Sequence, residues 1–318
     1  MSNIKKKKKR HPLRGLLVIL IIAALAYGLY TSSVSPEDTE PTLSSELTAT
    51  GSCEPFEIYF LDVGQGDSAL IICDGKAMLI DGGASGQSSK IYSFLKSHGI
   101  NHLNYIVASH ADADHVGGLA GALNYAKADT ALCTVTEHET KSFYNFVKYL
   151  NKQGVGITIP DAGDTFSLGS ASFTVIGPKR GETYSDNTSL IIRLVYGETS
   201  FLFTGDAEYQ DEQVAIDSGF PLESTVLKVG HHGSSSSSSY NFIDCIKPRY
   251  AVISVGGDNT YGHPTSRTLG QFEADGIAVL RTDMQGDIHC TSDGTTVKFD
   301  VEKNPDADTY SYIGGYLN

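Results

Sequence analysis

Two histidines and two aspartates fall within six consecutive residues of this chain: His110, Asp112, Asp114 and His115. An apolar run at 105–108 precedes them and a glycine pair follows, so the segment 109–118 is predicted to be a loop at the end of a buried strand. Imidazole and carboxylate together suit zinc, manganese or iron. Alternate positions of an extended turn can supply ligands to two adjacent divalent metals, so the segment is interpreted as a metal site. The alternative interpretation is a solvated acidic loop whose histidines cap a helix.

Composition limits the partners of the chain. Its 318 residues, 40% of them hydrophobic, can form one large or two small domains with a sizeable core. The formal net charge is −13, but residues 1–30 carry no acidic group and seven of the 24 basic ones, so the remainder has a net charge of −20. No basic stripe for a long nucleic acid is visible. A single phosphodiester held by metals remains compatible with this charge.

The N-terminal region has the pattern of a membrane-targeting segment. Six consecutive basic residues at 5–10 lie in a flank, 1–15, that is predicted to stay in the cytoplasm, and the uncharged apolar segment 16–30 follows. Its length lies between that of a signal peptide and that of a full span, and 24–26 could be a cleavage site. We expect a single-pass cell-membrane anchor with the remainder of the chain extracellular, or a secreted protein if the segment is cleaved.

Three further regions complete the predicted organisation. Residues 31–55 are rich in Ser, Thr, Pro and Glu and are predicted to be a disordered linker. A folded domain is expected at 56–301, with a C-terminal tail at 302–318. The five cysteines are too scattered for a zinc ribbon or a redox pair, so we assign them no catalytic role, although disulfides are compatible with export.

Short apolar runs alternate with helical patterns from residue 56 onward, which predicts an α/β fold of two mixed sheets with helices outside. The predicted strands are 57–62, 68–73, 77–80, 105–108, 172–176, 189–196, 199–203, 225–229, 250–255 and 278–281, with a hairpin at 287–301. The predicted helices are 88–97, 141–151, 208–218, 240–246 and 265–274.

Other candidate ligands also stand at predicted strand ends. Asp81 precedes two glycines, Asp206 follows the apolar run 201–203, and His231 and His232 follow 227–229. The structural alternatives are a plain turn at Asp81, a helix N-cap at Asp206 and a surface histidine pair. Adjacent histidines point in different directions, so one of the two is expected to bind metal and the other to support it or the substrate.

Several of these motifs occur in a characteristic order. They are 60–68, the Asp81 loop, 110–115, 186–190, the Asp206 loop, 231–234 and 261–264. With them the chain resembles the metallo-β-lactamase superfamily, and within it the hydrolase domain of the DNA-uptake competence protein ComEC and its stand-alone relatives. The many membrane spans of the full competence channel are not seen in this sequence, so we do not expect the chain itself to form a DNA pore.

The resemblance implies a four-layer αββα sandwich with two divalent metal ions, zinc or manganese, between the sheets. It assigns His110 and Asp112 to the first metal, Asp114 and His115 to the second, and a bridging role to Asp206. His231 or His232 would complete the second site. The chain has Asp112 where the superfamily commonly has histidine, and it has Asn187 in a region where the superfamily usually supplies another metal-binding histidine. The first metal site is therefore expected to be oxygen-rich and to favour manganese or a labile zinc.

The ligand set predicts hydrolysis by a hydroxide bridging two metals. Asp81 would orient that water or a ligand histidine, Asp114 would act in catalysis, and His263 would bind the phosphate or protonate the leaving oxygen. Asn187 and Ser234 are candidate substrate contacts. The serine run 234–239 could line a phosphate pocket or be a flexible connector, and the glycine-rich turn 62–68 could admit substrate or be a plain hairpin.

We therefore expect an exported, membrane-tethered phosphodiesterase or nuclease. Its substrate would be DNA or a phosphodiester polymer of the cell envelope, and no protein partner is indicated. Two alternatives stay open: a hydrolase of carboxylic ester, lactone or amide bonds, and a non-catalytic binding domain on a degenerate metal site.

Overall fold

Two β-sheets lie face to face in the computed structural model, which describes residues 56–178 and 188–311. The first sheet has the strand order β15-β14-β1-β2-β3-β4-β5-β6 and the second β13-β12-β11-β10-β9-β8-β7. The strands of the first sheet are β1 (Phe56–Phe60), β2 (Ala69–Cys73), β3 (Lys76–Ile80), β4 (His102–Val107), β5 (Lys127–Leu132), β6 (Ile157–Thr158), β14 (Ile288–Ser292) and β15 (Val297–Val301). Those of the second are β7 (Thr165–Leu168), β8 (Ala171–Gly177), β9 (Ile191–Tyr196), β10 (Thr199–Phe203), β11 (Val226–Lys228), β12 (Tyr250–Ile253) and β13 (Ala278–Arg281).

Eight α-helices in the described ranges connect these strands. They are α1 (Ser88–Ser97), α2 (Ala113–Val116), α3 (Leu119–Tyr125), α4 (Lys141–Gln153), α5 (Tyr209–Asp217), α6 (Tyr240–Ile246), α7 (Ser266–Ala274) and α8 (Thr282–Gln285). Short 3₁₀ turns lie at Ser85–Gln87 and Gly230–Gly233. All five predicted helices are present. The hydrophobic periodicity of the sequence did not indicate the short helices α2 and α3 or the strands β5 to β7.

Alternation along the strands creates three hydrophobic layers. In β10, Phe201 and Phe203 face the core between the sheets, while Leu202 faces a second core formed with α5, α6 and α7. In β3, Met78 and Ile80 face the same central core, while Leu79 joins a third core with α1, α3 and α4. Successive side chains of a strand point to opposite faces, and strands covered on both faces are apolar throughout. The predicted four-layer sandwich is confirmed.

Parallel pairing brings the candidate ligands to common edges. β3 pairs in parallel with β4, and β10 pairs in parallel with β11. The loops after β3 and β4 therefore leave one edge of the first sheet together, and the loops after β10 and β11 do the same in the second. Asp81, the 109–118 segment, Asp206 and the His231–His232 pair lie in these four loops.

The packed chain continues past the domain boundary predicted at 301. Thr309 is buried and its hydroxyl donates to the carbonyl of Val279, and the Tyr310 hydroxyl donates to the carbonyl of Ile277. Arg281 in turn donates to the carbonyl of Ser311. Residues 302–311 thus belong to the fold rather than to a free tail.

Several predictions fall outside the described residues: the basic flank, the membrane segment and the linker, all within 1–55. No helix of the described ranges is long and apolar enough to cross a membrane. Cys73, Cys133, Cys245 and Cys290 are free.

Replacing Phe201 by Ala should destabilise the protein by about 3–5 kcal/mol, because a buried aromatic side chain is lost and the cavity collapses only in part. Phe201 is buried in the central core, where its ring lies 5.1 Å from that of Phe56. Urea unfolding of the full chain measures the change. Tyr144→Ala, at a position 64% exposed, is the control and should shift stability by about 0.5 kcal/mol or less; equal shifts in both variants would refute the packing assignment.

Candidate metal centre

Three buried imidazoles converge on one carboxylate at the edge between the sheets. The Nε2 atoms of His115 and His232 lie 3.2 and 3.6 Å from Oδ1 of Asp206. Donor atoms of His110, His115 and Asp206 all lie within 4.8 Å of one another. The three Nε2 atoms and Asp206 Oδ1 are buried without a hydrogen-bond partner. Such atoms are costly to bury unpaired, and this donor set is the one that divalent metals take, so the residues fit a metal site.

Second contacts orient each imidazole. Oδ2 of Asp81 lies 3.0 Å from Nδ1 of His115, and Oδ1 of Asp81 accepts the backbone N–H of Ser109 at 2.7 Å. The hydroxyls of Ser109 and Ser189 lie 3.0 and 3.3 Å from Nδ1 of His110. A proton held at Nδ1 leaves Nε2 free to bind metal. The predicted role of Asp81 in orienting a ligand histidine agrees with this geometry.

His232 is oriented by a buried pair that the sequence analysis missed. Its Nδ1 lies 2.9 Å from the carbonyl oxygen of Ser254 and 3.2 Å from Oδ1 of Asp67, and Oδ2 of Asp67 lies 2.6 Å from Nζ of Lys228. Asp67 stands in the 60–68 motif, in a turn for which we predicted either substrate entry or a plain hairpin and no role for Asp67. A lysine inside the short buried strand β11 was the available signal, because a fully buried lysine needs a charged partner.

Asp114 and Asp112 lie on the more open side of the centre. Oδ2 of Asp114 lies 3.5 Å from Nε2 of His232, and Asp114, His115 and His232 form a second group of donors within 4.8 Å of one another. Oδ2 of Asp112 lies 3.7 Å from Nε2 of His110, and its side chain is more exposed. Asp112 belongs to none of the compact donor groups in the described ranges. Its assignment to the first metal stays a prediction.

Gly66 allows the 62–68 turn to approach Asp114. A Cβ at Gly66 would overlap the backbone carbonyl of Asp114, and the φ of Gly66 is +139°. The neighbouring amide of Asp67 donates to that same carbonyl at 3.3 Å. The turn is therefore packed against the backbone of a candidate ligand.

The two adjacent histidines take different positions. His232 is buried with Nε2 at the centre, whereas His231 is partly exposed, with Nε2 3.8 Å from Oδ2 of Asp206 and Nδ1 3.3 Å from Oε1 of Glu208. Both have left-handed backbone, as has Asp81. Such conformations in residues other than glycine are uncommon and concentrate at functional sites. The geometry favours His232 as the metal ligand and places His231 on the open side. The contact of His231 with Glu208 was not predicted from the sequence.

His263 lies beside His231, with ring centroids 5.5 Å apart in an edge-to-face arrangement. Burial and the positive charges of His231 and His232 lower the pKa of His263 to about 4. Its ring is therefore neutral near pH 7 and can donate an N–H, but it is a poor source of a proton.

The serine run 234–239 is held by hydrogen bonds, so its interpretation as a flexible connector is wrong. The carboxylate of Glu212 accepts the backbone amides of Ser238 and Ser239, and Arg267 donates to the carbonyls of Ser237 and Ser238. The hydroxyl of Ser234 is directed at that of Ser236, 3.0 Å away. The Ser234 hydroxyl also accepts the backbone N–H of Ser236, and its contact with substrate stays a prediction. Asn187 lies outside the described residues.

Charge coupling sets the protonation of the centre. Burial alone would lower the pKa of His115 and of His232. The carboxylates around them, Asp206 above all, have the opposite effect: they raise the pKa of His115 well above its ordinary value and the pKa of His232 to about 10. Burial alone would raise the pKa of Asp206 and of Asp67. The neighbouring cations instead lower the pKa of Asp206 well below its ordinary value and the pKa of Asp67 to about 2.

A sandwich of two sheets with a His/Asp centre at the strand ends is the architecture of a metal-dependent hydrolase. A family model described as the metallo-beta-lactamase superfamily matches residues 61–257. The chain belongs to this superfamily, as the motifs predicted.

Two relatives agree with the predicted competence-protein resemblance. ComE operon protein 3 of Bacillus subtilis (strain 168) is 30% identical over 251 residues, covering 73% of this chain and 32% of the relative. Competence protein ComA of Neisseria gonorrhoeae is 32% identical over 229 residues, covering 71% of this chain and 30% of the relative. The chain thus spans about a third of the length of these relatives.

A solved structure shares the fold. The CmlA beta-hydroxylase E377D mutant superposes with a TM-score of 0.50 at 13% identity, covering 75% of this chain and 54% of that one.

Asp81→Asn should lower metal affinity about 10–100-fold, the usual effect of losing the partner of a ligand histidine. The amide oxygen can still accept the Ser109 N–H, but the amide nitrogen would donate to Nδ1 of His115 and force its proton onto Nε2. Metal titration of the full chain measures the change.

Asp129→Asn is the matched control, since Asp129 pairs with His102 at 2.8 Å on the surface. It should leave metal affinity unchanged. Equal affinities of Asp81→Asn and the wild type would contradict the orienting role.

The metal-free protein should lose stability as pH rises from about 7 to about 10. The pKa values of His115 and His232 are raised in the folded protein. Their ion pairs therefore stabilise the fold fully at pH values below the pKa of an unfolded histidine, about 6.5. This stabilisation is lost as the pH rises through the pKa values of the folded protein, about 10 for His232. Metal binding needs unprotonated Nε2, so apparent affinity should rise over the same interval. Urea unfolding of the chelator-treated chain and Mn²⁺ titration across this range test both trends; a flat response in each would contradict the coupling.

Proposed function

We propose that this chain is an exported, membrane-anchored phosphodiesterase or nuclease that uses two divalent metal ions. The observation that carries the proposal is the grouping of three buried imidazoles, with unpaired Nε2 atoms, around Asp206, with two further aspartates on the open side. The hydrolase family of the chain supports the reaction class.

Two overlapping donor groups support a count of two ions. One contains His110, His115 and Asp206, and the other contains Asp114, His115 and His232. Asp112 would add an oxygen ligand beside His110. Asp206 approaches both His115 and His231 with different oxygens, which suits a bridging carboxylate. Divalent ions held here supply Lewis acidity and lower the pKa of water toward neutrality.

The oxygen content of the donor set favours manganese or weakly held zinc. Asp112, Asp114 and Asp206 provide carboxylates, and carboxylate-rich sites suit manganese better than sites of imidazole alone. Such ions bind phosphoryl oxygens well, which supports a phosphodiester over a carboxylic ester.

The residues on the open side suit the departing half of a phosphodiester. Hydrolysis forms a bond from a water oxygen to phosphorus and breaks the P–O ester bond, and the departing oxygen gains a proton. His263 lies beside His231, and in this proposal it donates an N–H to a phosphoryl oxygen, because its low pKa favours this binding role over that of a proton donor. Asp81 acts as a positioning residue through His115.

The basic flank 1–15 and apolar segment 16–30 support an extracellular location. A phosphodiester outside the cell, either DNA or a cell-envelope polymer, would be the substrate. The relatives named as competence proteins favour DNA among these.

Asp206→Asn should reduce hydrolysis of bis-p-nitrophenyl phosphate at least about 10³-fold, because the carboxylate proposed to bridge the two ions is lost. The full chain, purified in detergent, is stripped with chelator and reconstituted with Mn²⁺ or Zn²⁺. Activity is measured on this substrate, on single-stranded DNA and on a carboxylic ester.

Asp129→Asn again serves as the control and should keep wild-type activity. Preferential hydrolysis of the carboxylic ester would replace the phosphodiesterase assignment with the esterase alternative. Metal binding without turnover of any substrate would favour a binding domain.

A further inference from the structure

Tyr261 stands at the rim of the candidate metal centre and exposes 70% of its surface. Its ring stacks on that of His263, with centroids 5.8 Å apart and an interplanar angle of 25°. His263 in turn contacts His231, whose Nε2 lies 3.8 Å from Asp206. A continuous series of rings therefore leads from the centre to an exposed aromatic face.

The loop that carries Tyr261 is organised by the side chain of Asn259. Its Nδ2 donates to the carbonyls of Gly256 and His263, both at 2.7 Å, and its Oδ1 accepts the amides of Tyr261 and His263. One side chain thus closes a loop of eight residues, 256–263, on itself. The exposed ring is carried on a backbone that these hydrogen bonds hold, which limits the backbone entropy lost on binding.

Two cations near the centre in the described ranges, Lys228 and Arg267, are already engaged. Lys228 pairs with buried Asp67. Arg267 donates to two carbonyls of the serine run and lies over the rings of Tyr209 and Tyr240. The chain outside residues 1–30 is strongly acidic. Contacts to the substrate beyond the scissile phosphate are therefore expected to depend on uncharged surfaces, and the face of Tyr261 is such a surface.

We propose that Tyr261 stacks on a nucleobase of the substrate next to the scissile phosphodiester, and so determines specificity for nucleotide substrates over polyol phosphates. The proposal rests on the phosphodiesterase function proposed above. Every base has a flat π face, so stacking on a tyrosine recognises bases without reading their sequence.

Two polymers with the same phosphate spacing separate stacking from phosphate binding: oligothymidylate and an abasic oligomer of equal length in which each nucleoside is replaced by a tetrahydrofuran. With the Mn²⁺-reconstituted full chain, kcat/KM should favour oligothymidylate about tenfold, within the range of one base-stacking contact. Tyr261→Ala should abolish this preference through KM. Tyr261→Phe, which keeps the ring, should retain it.

Tyr144→Ala removes an equally exposed tyrosine from α4 and should retain the full preference. A wild type that cleaves both polymers equally, or a Tyr261→Ala variant that keeps the preference, would overturn the stacking proposal while leaving the phosphodiesterase proposal intact. A wild type that cleaves neither polymer would overturn both. Metal content of each variant confirms that the centre itself is preserved.

Discussion

The contact between Asp81 and His115 connects the backbone of the first sheet to the metal centre. Asp81 follows β3, accepts the amide of Ser109 just after neighbouring β4, and lies 3.0 Å from His115, the imidazole that the two candidate donor groups share. A carboxylate bound on both sides cannot rotate without breaking one of these bonds. The left-handed backbone at Asp81 is stable because these contacts compensate for its strain. The placement of the other donors around His115 depends on this fixed point.

The two sheets contribute complementary halves of the centre. Asp81, His110, Asp114 and His115 follow strands of the first sheet, whereas Asp206 and His232 follow strands of the second. Their separation is set by the aromatic core between the sheets, in which the rings of Phe60 and Phe203 lie 6.1 Å apart. Since close-packed interiors transmit displacement rather than absorb it, the metal geometry depends on residues that touch no ligand.

Local patterns were sufficient to predict the two sheets and the family, and they identified most of the candidate ligands that the fold brings together, because strand periodicity and strand-end motifs are encoded within a few residues. The interactions that cross the chain were not predictable in this way. Asp67 and Lys228 are distant in sequence and meet only because β11 packs beside the turn after β1. The choice between His231 and His232 likewise depends on Ser254, which neither local spacing nor composition identifies. Strands β5 to β7 are short or irregular in pattern, so tertiary pairing defined them.

The loop closed by Asn259 has a consequence for how this enzyme class can diversify. Its internal hydrogen bonds are self-contained, and it supplies none of the compact donor groups in the described ranges. Residues around its tip can therefore change during evolution without altering metal affinity. Exchange of the loop tip at 260–262, which keeps Asn259 and His263 in place, offers a modular route to new substrate preference on an unchanged reaction centre.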